Sequence, residues 1–328
     1  MDGQNDGMTA DTSQSCRHEN PFTGRCRLPV DADGLCQWHD PARRKQGDDD
    51  RAALSELAQG DVPLTGISLD HAQLPGLNLA LRDNHRADLR GADLHRANLS
   101  GAHLFGTDLR GANLLKCDLS DANLNSAQLE DANLLGAKLE GAKLEHVAWG
   151  ARVQQERQAA ATKNPQQAVA LRAEAEEVYR MLRRESERRG LFQDAGLFFQ
   201  KEMRMRRKQK PLWSFSRAIS KLVDLTCGYG ESPMRVILFS MTMIIGCAAG
   251  YLVLGVQDGN ELIRMDAGSG LLNNFLQCLY FSVVTFTTLG YGDIVPVGAS
   301  RLLASFEAFA GAFTIALFVV VFMKKMTR

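Results

Sequence analysis

Two stretches of the chain carry a Gly-Tyr-Gly triplet, "LTCGYGESP" at 225–233 and "TFTTLGYGDIVP" at 285–296. Glycines on either side of one residue free the backbone to turn successive carbonyls toward one axis. A ring of such oxygens can replace the hydration shell of K⁺. A second set of chemistry-bearing residues lies near the front, in "CRHENPFTGRCRLPVDADGLCQWHD". It contains Cys16, Cys26, Cys36 and His39. Three thiolates and one imidazole satisfy tetrahedral Zn²⁺, and a closed four-ligand site is structural. Cys36 and His39 form a tight C-x2-H chelating turn. The short segment 16–40 has few apolar residues, so a metal would supply the folding energy it lacks. His18 is an alternative ligand, but Cys-x-His spacing makes a poor chelate. The competing reading is an unstructured tail with idle cysteines.

The elements that position these residues follow from patterning. The chain has 328 residues with formal net charge zero, so bulk charge implies no nucleic-acid partner. Its charge is segregated: the middle is polar and the last hundred residues are strongly apolar. Seven cysteines, an odd number, argue against a disulfide framework. Residues 1–15 are polar without an apolar core. They predict a disordered tail on the cytosolic side.

From 62 to 150 the sequence beats every five residues. Leu stands at 64, 69, 74 and 79, then at every fifth position from 89 to 144, and Ala precedes most of them by two. Five fits neither a helix nor a strand. It fits a square coil with one pentad per side, Leu and Ala inside, each coil burying its face on the next. "RDNHR" (82–86) breaks the rule, with Asn84 in the Leu slot and Arg82 in the Ala slot. A local bulge or outward loop is expected there. The linker 41–61 holds "DDDRAALSELAQG", expected as a helix capping one open end, with Trp149 covering the other. These pentads resemble the pentapeptide-repeat family, and the resemblance implies a right-handed quadrilateral β-helix.

Residues 151–210 have helical spacing at Leu171, Ala175, Val178 and Leu182. Gly190 ends that helix and Asp194 is the expected N-cap of the next, giving a cytoplasmic αα-hairpin. From Lys201 to Lys221 the only acid is Glu202. This basic ramp abuts an apolar span and reads as a positive-inside flank. Within 211–232, Trp213, Phe215, Ile219, Leu222 and Val223 are expected along the membrane interface, with Arg217 and Lys221 toward headgroups, anionic ones included.

Residues 233–328 are expected to form a pore domain. Segments 234–256 and 300–323 are each long and apolar enough to cross a hydrocarbon core of ~30 Å. Their basic outer flanks put both termini in the cytoplasm. The stretch opening with "QDGNELIRMDAGSG" reads as an outer turret loop. The apolar segment 271–286 is too short to span and must dip and return. Irregular backbone at membrane depth is tolerated where it lines a water-filled path. The second triplet has this setting, so Thr288, Leu289, Gly290, Tyr291 and Gly292 are the expected K⁺ filter. The Thr288 hydroxyl adds an innermost ring and Tyr291 braces the wall, beside Thr287 and Asp293. The first triplet has no span before it and reads as a hinge.

The last hundred residues, "AGAFTIALFVVV" among them, resemble the two-transmembrane potassium-channel pore. The whole chain resembles prokaryotic pentapeptide-repeat potassium channels. The resemblance implies a homotetramer in the inner membrane, an inner-helix hinge at Gly311, and Thr314 and Ile315 near the cavity. Three departures stand out. Leu289 replaces the usual Val. Val284 stands where some members have Glu, leaving Asp293 without that partner. Tyr280 and Phe281 replace a Trp pair, and Phe281 cannot hydrogen-bond the Tyr291 hydroxyl. Glu307, an intramembrane acid, is a functional candidate or a structural hydrogen-bonding group.

Rival readings are a non-selective cation channel, which the intact triplet opposes, and a membrane-anchored adaptor or DNA mimic. A mimic needs a strongly acidic face, whereas residues 61–149 hold twelve acids against eight bases. No nucleophile–base pair, Walker loop or open metal site suggests an enzyme. An unknown cytoplasmic protein or ligand is the expected partner of the repeat domain, as regulator or scaffold.

Overall fold

In the computed structural model the chain divides into two units, Met1–Gln209 and Lys210–Arg328. The structure describes residues 16–20, 24–26, 28–30, 34–59, 64–80, 86–259, 261–265 and 270–327. The expected tail 1–15 lies outside them, as does all but the last residue of the irregular pentad.

The first unit is built on the pentads. Leu and Ala of each side are buried, as at Ala92, Leu94, Ala102 and Leu104. The residue between them pairs in parallel with the next coil: Asp88 with Asp108, Asp93 with Asn113, Asn98 with Asp118. This twenty-residue register makes four pentads per coil. Each corner is a tight turn, such as Ala92 N–H donating to the Leu89 carbonyl at 3.0 Å. Its third residue takes positive φ, as Gly91 does at 66°. That requirement explains the recurring glycine of the repeat. Before residue 80 the register differs: Ser68 pairs with Asp93 and Asn78 with His103, twenty-five residues apart. The step between the two registers falls between Asn78 and Asp88.

Both ends of the coil are covered. At the first, a two-stranded ribbon, β1 (Glu19–Asn20) and β2 (Gly24–Arg25), opens the cysteine segment. Helix α1 (Gly47–Gln59) forms as expected and buries Leu54. The cap is larger than that helix, however. Ser68 N–H donates to the Trp38 carbonyl at 2.7 Å and Gln73 N–H to that of Lys45 at 3.0 Å, so residues 38–46 extend the ladder. At the other end Trp149 meets Phe198 edge to face at 5.7 Å. Three helices follow where a hairpin of two was expected: α2 (Gln154–Ala161), α3 (Pro165–Arg188) and α4 (Phe192–Lys208). Asn164 caps α3, its Oδ1 accepting from the Gln166 N–H at 3.0 Å. Leu191, not Asp194, is the N-cap of α4, and Asp194 lies in the first turn. Buried Glu202 of α4 takes Arg180 at 3.1 Å and Arg183 at 2.8 Å from α3.

The second unit starts with α5 (Phe215–Cys227) and continues through α6 (Pro233–Leu254), α7 (Leu271–Phe286) and α8 (Ser300–Met326). The first Gly-Tyr-Gly is the turn between α5 and α6, with Gly228, Tyr229 and Gly230 all left-handed at φ 56°, 57° and 80°. The expected turret is not simply a loop. β3 (Val256–Asp258) and β4 (Glu261–Ile263) form a hairpin, and β3 also pairs antiparallel with β5 (Ile294–Pro296), just past the second triplet. Helices α6 and α8 are long and apolar enough to cross a membrane. Only 28% and 22% of their apolar windows are buried within the chain, so most of that surface needs lipid or other copies as its surroundings.

Candidate functional site

Helix α7 ends at Phe286, with Thr287 as C-cap. The chain is then held against the helix end. Thr288 N–H donates to the Thr285 carbonyl and Leu289 N–H to that of Val284, both at 3.0 Å. From there every second residue is left-handed: Thr288 at φ 58°, Gly290 at 60° and Gly292 at 78°. In an ordinary strand successive carbonyls point to opposite sides. Alternating handedness removes that reversal and permits consecutive carbonyls to face one side. Two of the three positions are glycine; Thr288 adopts this conformation against an intrinsic cost of roughly 1–2 kcal/mol. Leu289 and Tyr291 are exposed, 60% and 68%, as expected where one chain supplies one wall of a larger ring.

The structure places the residues around this loop as follows. Val284 makes no bond to Asp293, and other groups take the place of that partner. The Tyr280 hydroxyl, one turn earlier on α7, donates to its Oδ2 at 2.7 Å, and Ile294 N–H donates to Oδ1 at 3.0 Å. Phe281 is buried and packs edge to face on Tyr251 of α6 at 4.8 Å. Thr314 is buried with its hydroxyl on the Ala310 carbonyl at 2.7 Å, while Ile315 is 42% exposed. Gly311 lies against the end of α7. A Cβ there would stand 2.1 Å from the Phe286 carbonyl oxygen, so glycine is what lets α8 cross α7 so closely.

Glu307, one turn before Gly311, is fully buried and ties the three pore helices together. The Tyr251 hydroxyl of α6 donates to its Oε2 at 2.6 Å. The Ser282 hydroxyl of α7 is bonded to its Oε1 and also approaches the Ile244 carbonyl at 2.9 Å. Sequence reasoning named Glu307 but missed Tyr251 and Ser282. Their signal was present as isolated hydroxyls in otherwise apolar stretches. At the basic ends of the spans, Arg235 pairs with Asp224 at 3.0 Å and Lys324 with Glu231, linking α5, α6 and α8.

In the first unit Cys16, Cys26, Cys36 and His39 come together, their ligand atoms all within 4.8 Å of one another. His39 Nδ1 lies 3.1 Å from Cys36 Sγ and 3.7 Å from Cys16 Sγ. Its Nε2 sits 3.1 Å from the Thr65 carbonyl, which can only accept. Nε2 therefore carries the proton and the Nδ1 lone pair faces the sulfurs, the arrangement that second-shell bonds impose on metal-binding imidazoles. Burial lowers His39 below its ordinary value and pushes Cys36 up to about 12. At Cys16 burial opposes ionisation, but hydrogen bonds led by the Cys36 N–H outweigh it and leave the thiol lowered. His18 stacks on His39 at 4.0 Å.

Comparison with known proteins covers the second triplet's surroundings and most of the pentads. A family model described as ion channel matches residues 239–328, and one described as pentapeptide repeats matches 85–121 and 112–147 in eight copies. Two pore potassium channel b of Oryza sativa subsp. japonica is 35% identical over 98 residues, 29% of this chain and 25% of that protein. Two-pore potassium channel 1 of Arabidopsis thaliana is 42% identical over 79 residues, 24% and 19% of the two chains. Protein LctB of Bacillus caldotenax is 31% identical over 84 residues, 25% and 62%. The chain thus spans about a quarter of the length of the first of these relatives. Among solved structures, a pentapeptide repeat protein of the Arabidopsis thaliana thylakoid lumen shares 28% identity over 26% of this chain and 59% of its own, with TM-score 0.18. Another, from Nostoc, shares 35% over 32% and 78%, with TM-score 0.19. Such scores carry no weight beside the pentads and the ladder of this chain itself. The chain carries an ion channel domain and pentapeptide repeats, neither of them a class of enzyme.

Proposed function

We propose that this chain is one subunit of a homotetrameric, potassium-selective channel of a prokaryotic inner membrane, with its pentapeptide-repeat domain in the cytoplasm. The observation that carries the reading is the alternation of handedness at Thr288, Gly290 and Gly292, at the end of a non-spanning apolar helix between two apolar helices. One such strand lines one wall of a filter, and four copies ring a dehydrated K⁺. Thr287, Asp293 and Tyr280 steady the strand. Phe281 supports it only indirectly, through α6. Gly311 is the inner-helix hinge, with Thr314 and Ile315 toward the cavity. The potassium channels of rice and Arabidopsis thaliana that match this region support K⁺ as the permeant ion. K⁺ against Na⁺ flux from liposomes holding the purified protein tests the reading.

Cys16, Cys26, Cys36 and His39 would hold a structural Zn²⁺, which supplies cross-linking of a segment that is poor in apolar residues. The donor set, the fixed His39 tautomer and the mutual distances support this. The exposed Leu212, Trp213, Phe215 and Leu222, beside Lys210, Arg217 and Lys221, suit an interface with anionic lipid.

A further inference from the structure

We propose that Asp70, His71 and His95 form a second metal site, on the outer wall of the β-helix, that takes a late first-row divalent cation such as Zn²⁺, Co²⁺ or Ni²⁺. The three ligand groups lie within 4.8 Å of one another. His71 Nδ1 stands 2.8 Å and His95 Nδ1 2.9 Å from the same oxygen, Asp70 Oδ1. The two rings meet edge to face at 5.3 Å. Two imidazoles and one carboxylate select against Mg²⁺ and Ca²⁺, which prefer all-oxygen shells.

The two Asp–His spacings need only small changes, and the two imidazole ligand nitrogens lie within 4.8 Å of each other. A tetrahedral ion with bonds of about 2.1 Å separates its donors by roughly 3.4 Å. The Asp–His pairs are about half an ångström closer than that, with the nitrogens now hydrogen-bonded to the oxygen that the ion would share. His71 is half exposed, so its ring can give way. Burial opposes ionisation of Asp70, but the two histidines more than offset it, and the carboxyl is held below its ordinary value. Three protein ligands leave a position open to water, so the ion would exchange more readily than one in the closed Cys3His set.

The site has a location with structural consequence. His71 N–H donates to the His95 carbonyl at 2.8 Å, so the ligands come from successive coils. These coils are paired in the twenty-five-residue register. A bound ion would staple a part of the ladder that departs from four pentads per coil.

The test uses the untagged full-length protein in detergent, stripped of metal and titrated with Co²⁺ alone. The wild type should bind two Co²⁺ per chain. One, at the cysteines, gives an intense thiolate charge-transfer band in the near ultraviolet. The other gives only weak visible d–d bands. His71→Asn with His95→Gln should abolish the second equivalent and keep the first. Asn tolerates the left-handed φ of 54° at position 71. The retained thiolate band reports that the coil is folded, because His39 and Trp38 bond to Thr65 and Ser68 of the same coil. Asp70→Asn should weaken the second site at least tenfold. A wild type with only the thiolate-type equivalent, or a double variant that keeps both, overturns the proposal. Loss of the thiolate band in the wild type with the d–d equivalent intact would instead count against zinc at the cysteines.

Discussion

Gly290 and Gly228 make a controlled comparison, because each is the first glycine of a Gly-Tyr-Gly triplet and left-handed, at φ 60° and 56°. Alanine at either costs roughly 1 kcal/mol of backbone strain. At 290 the strain falls on the strand whose carbonyls must converge. At 228 it falls on a turn between α5 and α6. Gly290→Ala should abolish K⁺ flux, and Gly228→Ala should leave selectivity as in the wild type. Equal selectivity in both variants would detach the second triplet from conduction. Glu307 offers a second test at this scale. Its removal leaves the buried Tyr251 hydroxyl without an acceptor, while Ser282 keeps the Ile244 carbonyl. An orphaned buried donor costs about 1–3 kcal/mol. Glu307→Ala should therefore lower the unfolding midpoint of the detergent-purified protein, and Glu307→Gln, which retains an acceptor oxygen, should lower it less. An alanine variant as stable as the wild type would show that the node is not structural.

Among the elements, those with a strong period were legible and those held by tertiary contact were not. The pentads and helix α7 could be read because Leu every fifth position and an apolar run of fixed length are local signals. Helix α2 was missed because "QQERQAAA" has no apolar face; it buries only Gln155 and Ala159. Residues 38–46 were missed as part of the cap because they carry no Leu–Ala beat, and their pairing with the ladder runs through backbone bonds that no side-chain pattern marks. The Tyr280–Asp293 bond was missed for a related reason. Val284 does leave Asp293 without the carboxyl partner of some members, and the bond that replaces it comes from Tyr280 one turn earlier. The closeness of Gly311 to Phe286 depends on how α8 crosses α7, which no spacing encodes. The cysteine segment was legible in the four side chains that meet, but not in its anchoring to Thr65 and the first coil. That anchoring sharpens a prediction. Cys36→Ser should remove the metal equivalent of that site, read by elemental analysis, and loosen the first coil, read by faster amide exchange near Leu64 and Ile67. Unchanged metal content would show the ligand set to be wrong.

At the level of the whole molecule, a capped rod and a pore lie on one chain, with residues 209 to 214 between helices α4 and α5. A rigid rod can act as a regulator only if an effector binds open and closed arrangements unequally. Candidate inputs are a protein docked on the rod, metal occupancy, or anionic lipid at Lys201 to Lys221. Deleting residues 1–150 separates regulation from scaffolding. Regulation predicts an altered open probability in the truncated channel. An unchanged open probability under every condition tested makes the rod a scaffold.

The central claim is that four copies of Thr288 to Gly292 pass K⁺ and exclude Na⁺. Purified wild-type protein in liposomes, loaded in turn with K⁺ and with Na⁺ at equal concentration, tests it most directly. Rapid K⁺ efflux with Na⁺ retained is the result this account predicts. Equal efflux of the two ions, or none of either beyond protein-free liposomes, would contradict it.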